Sequence, residues 1–110
     1  MDRGRMKGNL PVILLTVIAE SDEPLYGLEI AREIQARTDG ELNLASGSLY
    51  PPLHRLQRDG LVEVETRVSP HGSGHVSYYK ITDEGLKVLQ KEREETRNFM
   101  RVLKAFVPDE

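Results

Sequence analysis

The residues best suited to bind a polyanion lie together in the stretch ASGSLYPPLHRLQRDGLVEV, residues 45–64. His54, Arg55 and Arg58 follow one another at one-residue and three-residue steps, and Tyr50 adds a hydroxyl shortly before them. Such side chains donate hydrogen bonds to phosphate oxygens and to base edges. The stretch therefore has the chemistry of a surface that contacts nucleic acid.

The distribution of charge supports this interpretation although the formal net charge is −3. Acidic residues are absent from residues 42–58 and again from residues 66–82. The second window holds Arg67, Ser73 and His75 around the turn sequence SPHGSGH, whose glycines allow the backbone to approach a duplex closely. A local basic surface can bind nucleic acid whatever the sign of the total charge.

A helix over residues 46–59 must position the first of these groups. Leu49, Leu53 and Leu56 recur at the spacing of one helix face, a serine near position 48 is available as the N-cap, and Gly60 ends the pattern. The opposite side then carries polar groups. Together with the turn, this predicts DNA contacts from Ser48, Tyr50, Pro51, His54, Arg55, Arg58, Arg67, Ser73 and His75.

Two adjacent prolines lie inside this helical pattern. Pro51 costs little if the helix begins near Ser48, because N–H groups of the first turn have no partner within the helix, whereas Pro52 removes one hydrogen bond. The pair could present a rigid apolar edge to a thymine methyl group. Alternatively, it could only fix how the helix leaves the preceding loop. The sequence leaves both alternatives open.

The remaining patterns predict a mainly α member of the α+β class. An apolar stripe from Leu10 to Ile18 and residues 26–37 indicate two helices, and ELNL at 41–44 indicates a brief strand. LVEVETRV and VSYYKI have strand composition and flank the turn, as in a hairpin. This order is that of a winged helix-turn-helix at residues 9–81, after a flexible basic arm at residues 1–8 and before a helix at residues 82–107.

The last helix, capped by Thr82, is predicted to be a dimerisation helix. Its apolar residues keep close to a three–four spacing that Arg93 and Thr96 interrupt. Apolar residues at this spacing are more often core or interface than a ligand pocket. The predicted dimer contacts are Leu86, Leu89, Phe99, Met100, Leu103 and Phe106.

Several other functions are disfavoured by what the sequence lacks. It contains no cysteine, and its three histidines are poorly spaced for a metal, since His71 and His75 lie on a glycine-rich turn. No phosphate-binding loop or nucleophile elbow is present. The apolar run LPVILLTVIA is much shorter than the ~20 residues of a membrane span. We therefore expect a cytoplasmic protein that is not an enzyme and needs no cofactor, metal or membrane.

Three motifs resemble the PadR-like family of bacterial transcriptional regulators: LYGLEIAREI, GSLYPPLHRLQRDGLVEV and YYKITDEG. The resemblance extends from about Leu10 to Leu89, and the single short C-terminal helix resembles the compact subfamily. It implies a homodimeric winged-helix repressor in which Tyr50 contacts the phosphate backbone and helix 46–59 reads the operator. Pro52 departs from the small residue usual at that place in the family.

The same resemblance implies an effector, either a phenolic acid or a small flat hydrophobic compound. Some relatives stack such compounds on a tryptophan in the last helix, and this chain contains no tryptophan. Phe99, Met100 and Phe106 could line a pocket, but apolar residues at helical spacing are more often core or interface, so they are assigned to the dimer first.

Two classes of function follow from the sequence. One is a dimeric DNA-binding repressor acting on a pseudo-palindromic operator. The alternative is a winged-helix module that binds another protein and no DNA. A basic third helix, with His54, Arg55 and Arg58 and no acid among them, favours DNA.

Overall fold

A computed structural model describes residues 5–108, with side chains from residue 9 onward. Four helices and a three-stranded antiparallel sheet follow one another along the chain. In chain order they are α1 (Arg5–Glu20), β1 (Leu25–Tyr26), α2 (Gly27–Arg37), α3 (Ser46–Arg58), β2 (Val62–Val68), β3 (His75–Ile81) and α4 (Asp83–Leu103).

Helix α1 is the centre of the fold and packs against α2, α3, α4 and β3. Leu14, Leu15, Val17 and Ile18 are all buried, so this helix hides more than one face. It begins at Arg5, which makes the flexible arm predicted for residues 1–8 too long, because the helix continues on the N-terminal side of Pro11. Residues 1–4 of that arm lie outside the described residues.

The third strand of the sheet is not the one that the sequence indicated. Residues 41–44 form no strand, and the Leu42 N–H is bonded to the Thr38 hydroxyl at 3.0 Å instead of to a strand neighbour. Leu25 and Tyr26 form β1, which pairs with the edge of β3, and the Tyr26 ring meets the Tyr78 ring edge-on. The apolar alternation in ELNL reflects packing of its two leucines against the core.

Helix α3 begins at Ser46, as predicted, but it is not capped as expected. Its N-cap is Ala45, whose carbonyl accepts the N–H groups of Ser48 and Leu49, and no side chain caps the helix. The expected serine cap is therefore wrong, since Ser46 already lies inside the helix. Pro51 becomes the sixth residue of α3, so both prolines lie beyond the first turn.

The predicted hairpin and the start of the last helix are confirmed. Strands β2 and β3 pair from Val62 with Ile81 to Val68 with His75. The Thr82 hydroxyl accepts the Gly85 N–H at 3.0 Å and caps α4. The helix ends at Leu103, four residues before the predicted boundary, and a turn follows it.

Candidate nucleic-acid interface

Helix α3 separates its residues as the sequence predicted. Leu49, Leu53 and Leu56 are buried in the core, and Tyr50 is half-buried at the boundary. The remaining predicted contact residues of this helix are exposed along its outer side: Ser48, Pro51, His54, Arg55 and Arg58. One helix thus presents a hydrogen-bonding surface while its other side fixes it to the domain.

The two prolines have different environments. Pro52 is buried with the leucines, whereas Pro51 is exposed beside the polar residues. Packing therefore explains Pro52, and a contact with a thymine methyl group is open only to Pro51. Because proline has no N–H, neither residue donates to the carbonyl four positions before it.

The charge on α3 is unevenly neutralised. Arg58 Nε lies 3.5 Å from Asp59 Oδ1, and both side chains are exposed, so this pair is weak. Within residues 5–108, His54 and Arg55 form no ion pair. These two side chains can therefore turn to a new anionic partner without breaking an ion pair to the described residues.

Tyr50 rests against the first residue of α2. A β-carbon placed on Gly27 would lie 2.5 Å from Tyr50 Oη and 2.8 Å from two ring carbons, which shows how closely the ring covers this glycine. Its hydroxyl makes no hydrogen bond to the part of the chain that the structure describes. The His54 ring lies 6.5 Å away, centroid to centroid. Beneath them, burial raises the pKa of Tyr79, and the nearby Tyr50 raises it further.

Arg67 on β2 is already engaged. Its Nε donates to Glu65 Oε2 at 2.8 Å, and its guanidinium carbon lies 4.6 Å from the centre of the Tyr78 ring. The hydrogen bond from Arg67 lowers the pKa of the Glu65 carboxyl, which keeps the pair ionised at neutral pH. Arg67 shares the sheet face with Glu65 and Tyr78, opposite the face where Val62 and Tyr79 enter the core.

The hairpin tip is an exposed turn. Ser73 lies in it, and His75 is the first residue of β3. Gly72 and Gly74 have φ values of 94° and 74°, a region that glycine adopts without strain. No group of three side chains that could hold a metal ion occurs among the described residues.

Three residues of this surface were not singled out from the sequence. Gly27 seats the Tyr50 ring, and Glu65 and Tyr78 hold Arg67. A period-two strand places Glu65 and Arg67 on the same side, so this ion pair had a signal in the sequence. The other two contacts depend on how α2 meets α3 and on the hairpin register.

The predicted dimer residues do not share one environment. Leu89 is only 2% exposed and packs in the core of its own chain, so its assignment to the dimer is corrected. Its spacing fits either role, and its burial assigns it to the core of the single chain. The other predicted contacts remain open on the surface: Leu86, Phe99, Met100, Leu103 and Phe106.

The order of helices, the small sheet and the exposed third helix define a winged helix-turn-helix protein. A transcriptional regulator from Clostridium thermocellum has the same fold, with a TM-score of 0.81, 27% identity and coverage of 98% of this chain and 99% of that one. A PadR-like transcriptional regulator from Bacillus cereus gives a TM-score of 0.76 at 28% identity, covering 96% and 97% of the two chains.

The family model described as the transcriptional regulator PadR-like family matches residues 14–91. The chain belongs to this family, and it is a transcriptional regulator of the DNA-binding class rather than an enzyme. An uncharacterized protein of Lysinibacillus sphaericus is 29% identical over 102 residues, which are 93% of this chain and 91% of that protein.

A second relative is longer than this chain. The Escherichia coli transcriptional regulator YqjI is 24% identical over 98 residues, 89% of this chain but 44% of that protein.

None of the helices within residues 5–108 is long and apolar enough to cross a membrane.

Proposed function

We propose that the chain is a homodimeric repressor that binds a pseudo-palindromic operator and responds to a small effector. The observation that carries the proposal is the exposed side of α3. His54 and Arg55 stand there without ion-pair partners among the described residues, next to a tyrosine hydroxyl that is free to donate. In a helix-turn-helix, the second helix of the motif lies in the major groove and the first crosses the backbone.

The residues divide into two roles under this proposal. Tyr50 and Ser48 donate to phosphate oxygens, which fixes the helix on the duplex without reading its sequence. His54 and Arg55 reach base edges, where arginine pairs best with guanine. Pro51 offers an apolar contact, and Arg58 adds positive charge near the helix end.

The hairpin would contribute contacts to the sugar-phosphate backbone. Ser73 and His75 lie at its tip and are exposed. Arg67 joins them only if a phosphate replaces the Glu65 carboxylate as its partner, since the two are 2.8 Å apart in the free protein. Glu65 therefore opposes DNA binding at this one position.

Dimerisation would use the apolar end of α4. Phe99 near the end of α4 is 63% exposed, and Phe106 in the turn after α4 is 78% exposed; large apolar side chains exposed close together in the chain are consistent with an interaction surface. A shallow cavity of about 240 Å³ between α1 and α2, whose lining includes Val12, Ile13 and Val17 together with Arg37, is available to receive such side chains from a second copy. Twofold symmetry would repeat the contact.

The effector would bind near the same interface. A groove of about 590 Å³ separates the end of α1 from α4, and Leu86, Arg93 and Arg97 contribute to it. Glu20 and Glu94 line the groove as well, so an aromatic acid such as a hydroxycinnamic acid would have to place its carboxylate against the guanidinium groups and its ring against the apolar residues. We expect this compound to raise the apparent Kd of the DNA complex in an anisotropy titration, and replacement of Arg93 and Arg97 by glutamine to abolish the response.

Salt dependence tests the main proposal. A labelled duplex from the promoter of its own gene and a scrambled duplex are titrated by fluorescence anisotropy over a salt series. We expect selective binding whose log affinity falls linearly with log salt, with a slope of about one per phosphate contact. A folded protein that binds neither duplex at low salt refutes the proposal and favours the protein-binding module.

Single substitutions on α3 separate the two roles. We expect Tyr50→Phe to weaken binding to both duplexes by the same factor, about tenfold, because a phosphate contact carries no sequence information. His54→Ala and Arg55→Ala are expected to weaken the promoter duplex more than the scrambled one. An equal loss on both duplexes for all three variants would contradict a reading role for α3.

A further inference from the structure

We propose that Gly27 is a positioning residue for Tyr50. The absence of a side chain at the first position of α2 is what allows the Tyr50 ring to lie against that helix, with its hydroxyl presented to the DNA backbone. The part of this inference that concerns DNA rests on the proposed function. The packing between the two residues does not.

The distances show that Gly27 has no room for a methyl group. A β-carbon there would meet Tyr50 Oη at 2.5 Å and the Cε1 and Cζ carbons at 2.8 Å. Nonbonded carbon atoms attract one another best at about 3.5–4.0 Å, so all three contacts would be strongly repulsive. Either the ring or the start of α2 would have to move.

Backbone conformation does not explain this glycine. The described glycines with positive φ are Gly40, Gly60, Gly72 and Gly74. Gly27 instead has a backbone that any residue can adopt, and it lies in the first turn of a helix, where alanine is normally better. The space that the Tyr50 ring occupies is therefore the reason that a glycine suits this position.

The start of α2 is held more firmly than the ring. The Tyr26 N–H donates to Glu29 Oε1 at 3.0 Å, and Tyr26 is also part of β1, which pairs with Tyr78 of β3. Its ring meets the Tyr78 ring with centroids 5.4 Å apart. A methyl group on Gly27 would therefore displace the half-buried Tyr50 side chain, and the hydroxyl would leave its place beside α2.

A set of five variants tests the inference: Gly27→Ala, Tyr50→Phe, Tyr50→Ala and the combinations of the first with each tyrosine variant. Urea unfolding is followed at one protein concentration, and duplex affinity is measured by anisotropy below the unfolding transition. Gly47→Ala is the matched control for unfolding, because its β-carbon would have nothing within 4 Å and Gly47 also lies in the first turn of a helix.

In the Tyr50→Phe background, Gly27→Ala should change the urea midpoint but not the affinity for DNA. Phenylalanine keeps the ring, so Gly27→Ala should still lower the urea midpoint there. It should no longer weaken DNA binding, because the hydroxyl that it displaces is already missing. In the wild-type background we expect the Kd to rise about tenfold, the loss expected for one hydrogen bond to a charged group.

The Tyr50→Ala background removes the ring and should remove both effects. Equal effects of Gly27→Ala on affinity in all three backgrounds would overturn the inference, as would a Gly27→Ala protein that unfolds and binds like the wild type. If the wild-type protein binds no duplex, the proposed function fails. The urea cycle then still decides whether Gly27 and Tyr50 are coupled.

Discussion

Replacement of Phe99 by glutamate is expected to convert the proposed dimer to monomers and to weaken binding to the proposed operator about a hundredfold or more. Phe99 is 63% exposed in the single chain, and Met100 beside it is 59% exposed. In the proposed dimer both side chains are covered. A carboxylate at position 99 would be buried without a partner, twice in each symmetric dimer, and burial of an unpaired charge is strongly unfavourable.

Light scattering or sedimentation gives the oligomeric state, and anisotropy compares a full operator with a single half-site. The monomeric variant should lose the preference for the full operator, because two linked binding events have become one. Asn98→Glu is the matched control, since it adds the same charge at the neighbouring exposed position of α4. A dimeric Phe99→Glu protein with unchanged affinity would remove this end of α4 from the interface.

Elements with a clear period could be predicted from the sequence. The inner face of α3 follows the spacing of Leu49, Leu53 and Leu56, and the hairpin follows an alternation of period two. Both patterns are local, because each element by itself turns one set of regularly spaced residues to the core and the other set to water. The cap of α4 is equally local, because the Thr82 hydroxyl accepts a hydrogen bond from the N–H of Gly85, only three residues further along the chain.

Features that depend on a partner element could not be predicted in this way. A two-residue strand has no period, and Leu25 and Tyr26 become β1 only because β3 offers a free edge. Leu89 has interface spacing, yet it is buried in the core of its own chain. The contact between Gly27 and Tyr50 joins residues far apart in the chain, so it appears only when α2 and α3 pack together.

The candidate site shows the same division. Charge and helix face identify His54, Arg55 and Arg58 without a structure. Whether Arg67 is free or already paired can be known only from the hairpin register. That register places Tyr78 opposite Glu65, so the Tyr78 ring and the Glu65 carboxylate both contact the Arg67 guanidinium. A basic residue in an acid-free window is thus not automatically free to bind DNA.

The substitution Gly85→Ala is expected to lower the free energy of unfolding by about 3 kcal/mol, a large effect for a single methyl group. A β-carbon at position 85 would lie 2.2 Å from the Leu61 carbonyl oxygen and 2.7 Å from Ile81 Cγ1. The first of these atoms is backbone, so no side-chain rotation can relieve the contact. The start of α4 or the turn after α3 would have to shift.

Two hydrogen bonds also fix this joint between the start of α4 and the turn after α3. The Thr82 hydroxyl donates to the Gly60 carbonyl at 2.7 Å, and the Thr82 N–H donates to the Leu61 carbonyl at 3.1 Å. A shift that accommodated the methyl group would lengthen these bonds, which adds their loss to the steric cost. Since Gly60 and Leu61 lie in the turn after α3, the joint also connects the proposed DNA-reading helix to the proposed dimer helix.

Urea unfolding at one protein concentration measures the effect, because a dimer would make the midpoint depend on concentration. Gly47→Ala is again the comparison: the same substitution in the first turn of another helix meets open space, and we expect it to raise stability by up to about 1 kcal/mol through better helix propensity. If Gly85→Ala unfolded at the same urea concentration as Gly47→Ala, the close contact with Leu61 would not be a fixed feature of the fold. The proposal that this joint couples α3 to α4 would then be contradicted as well.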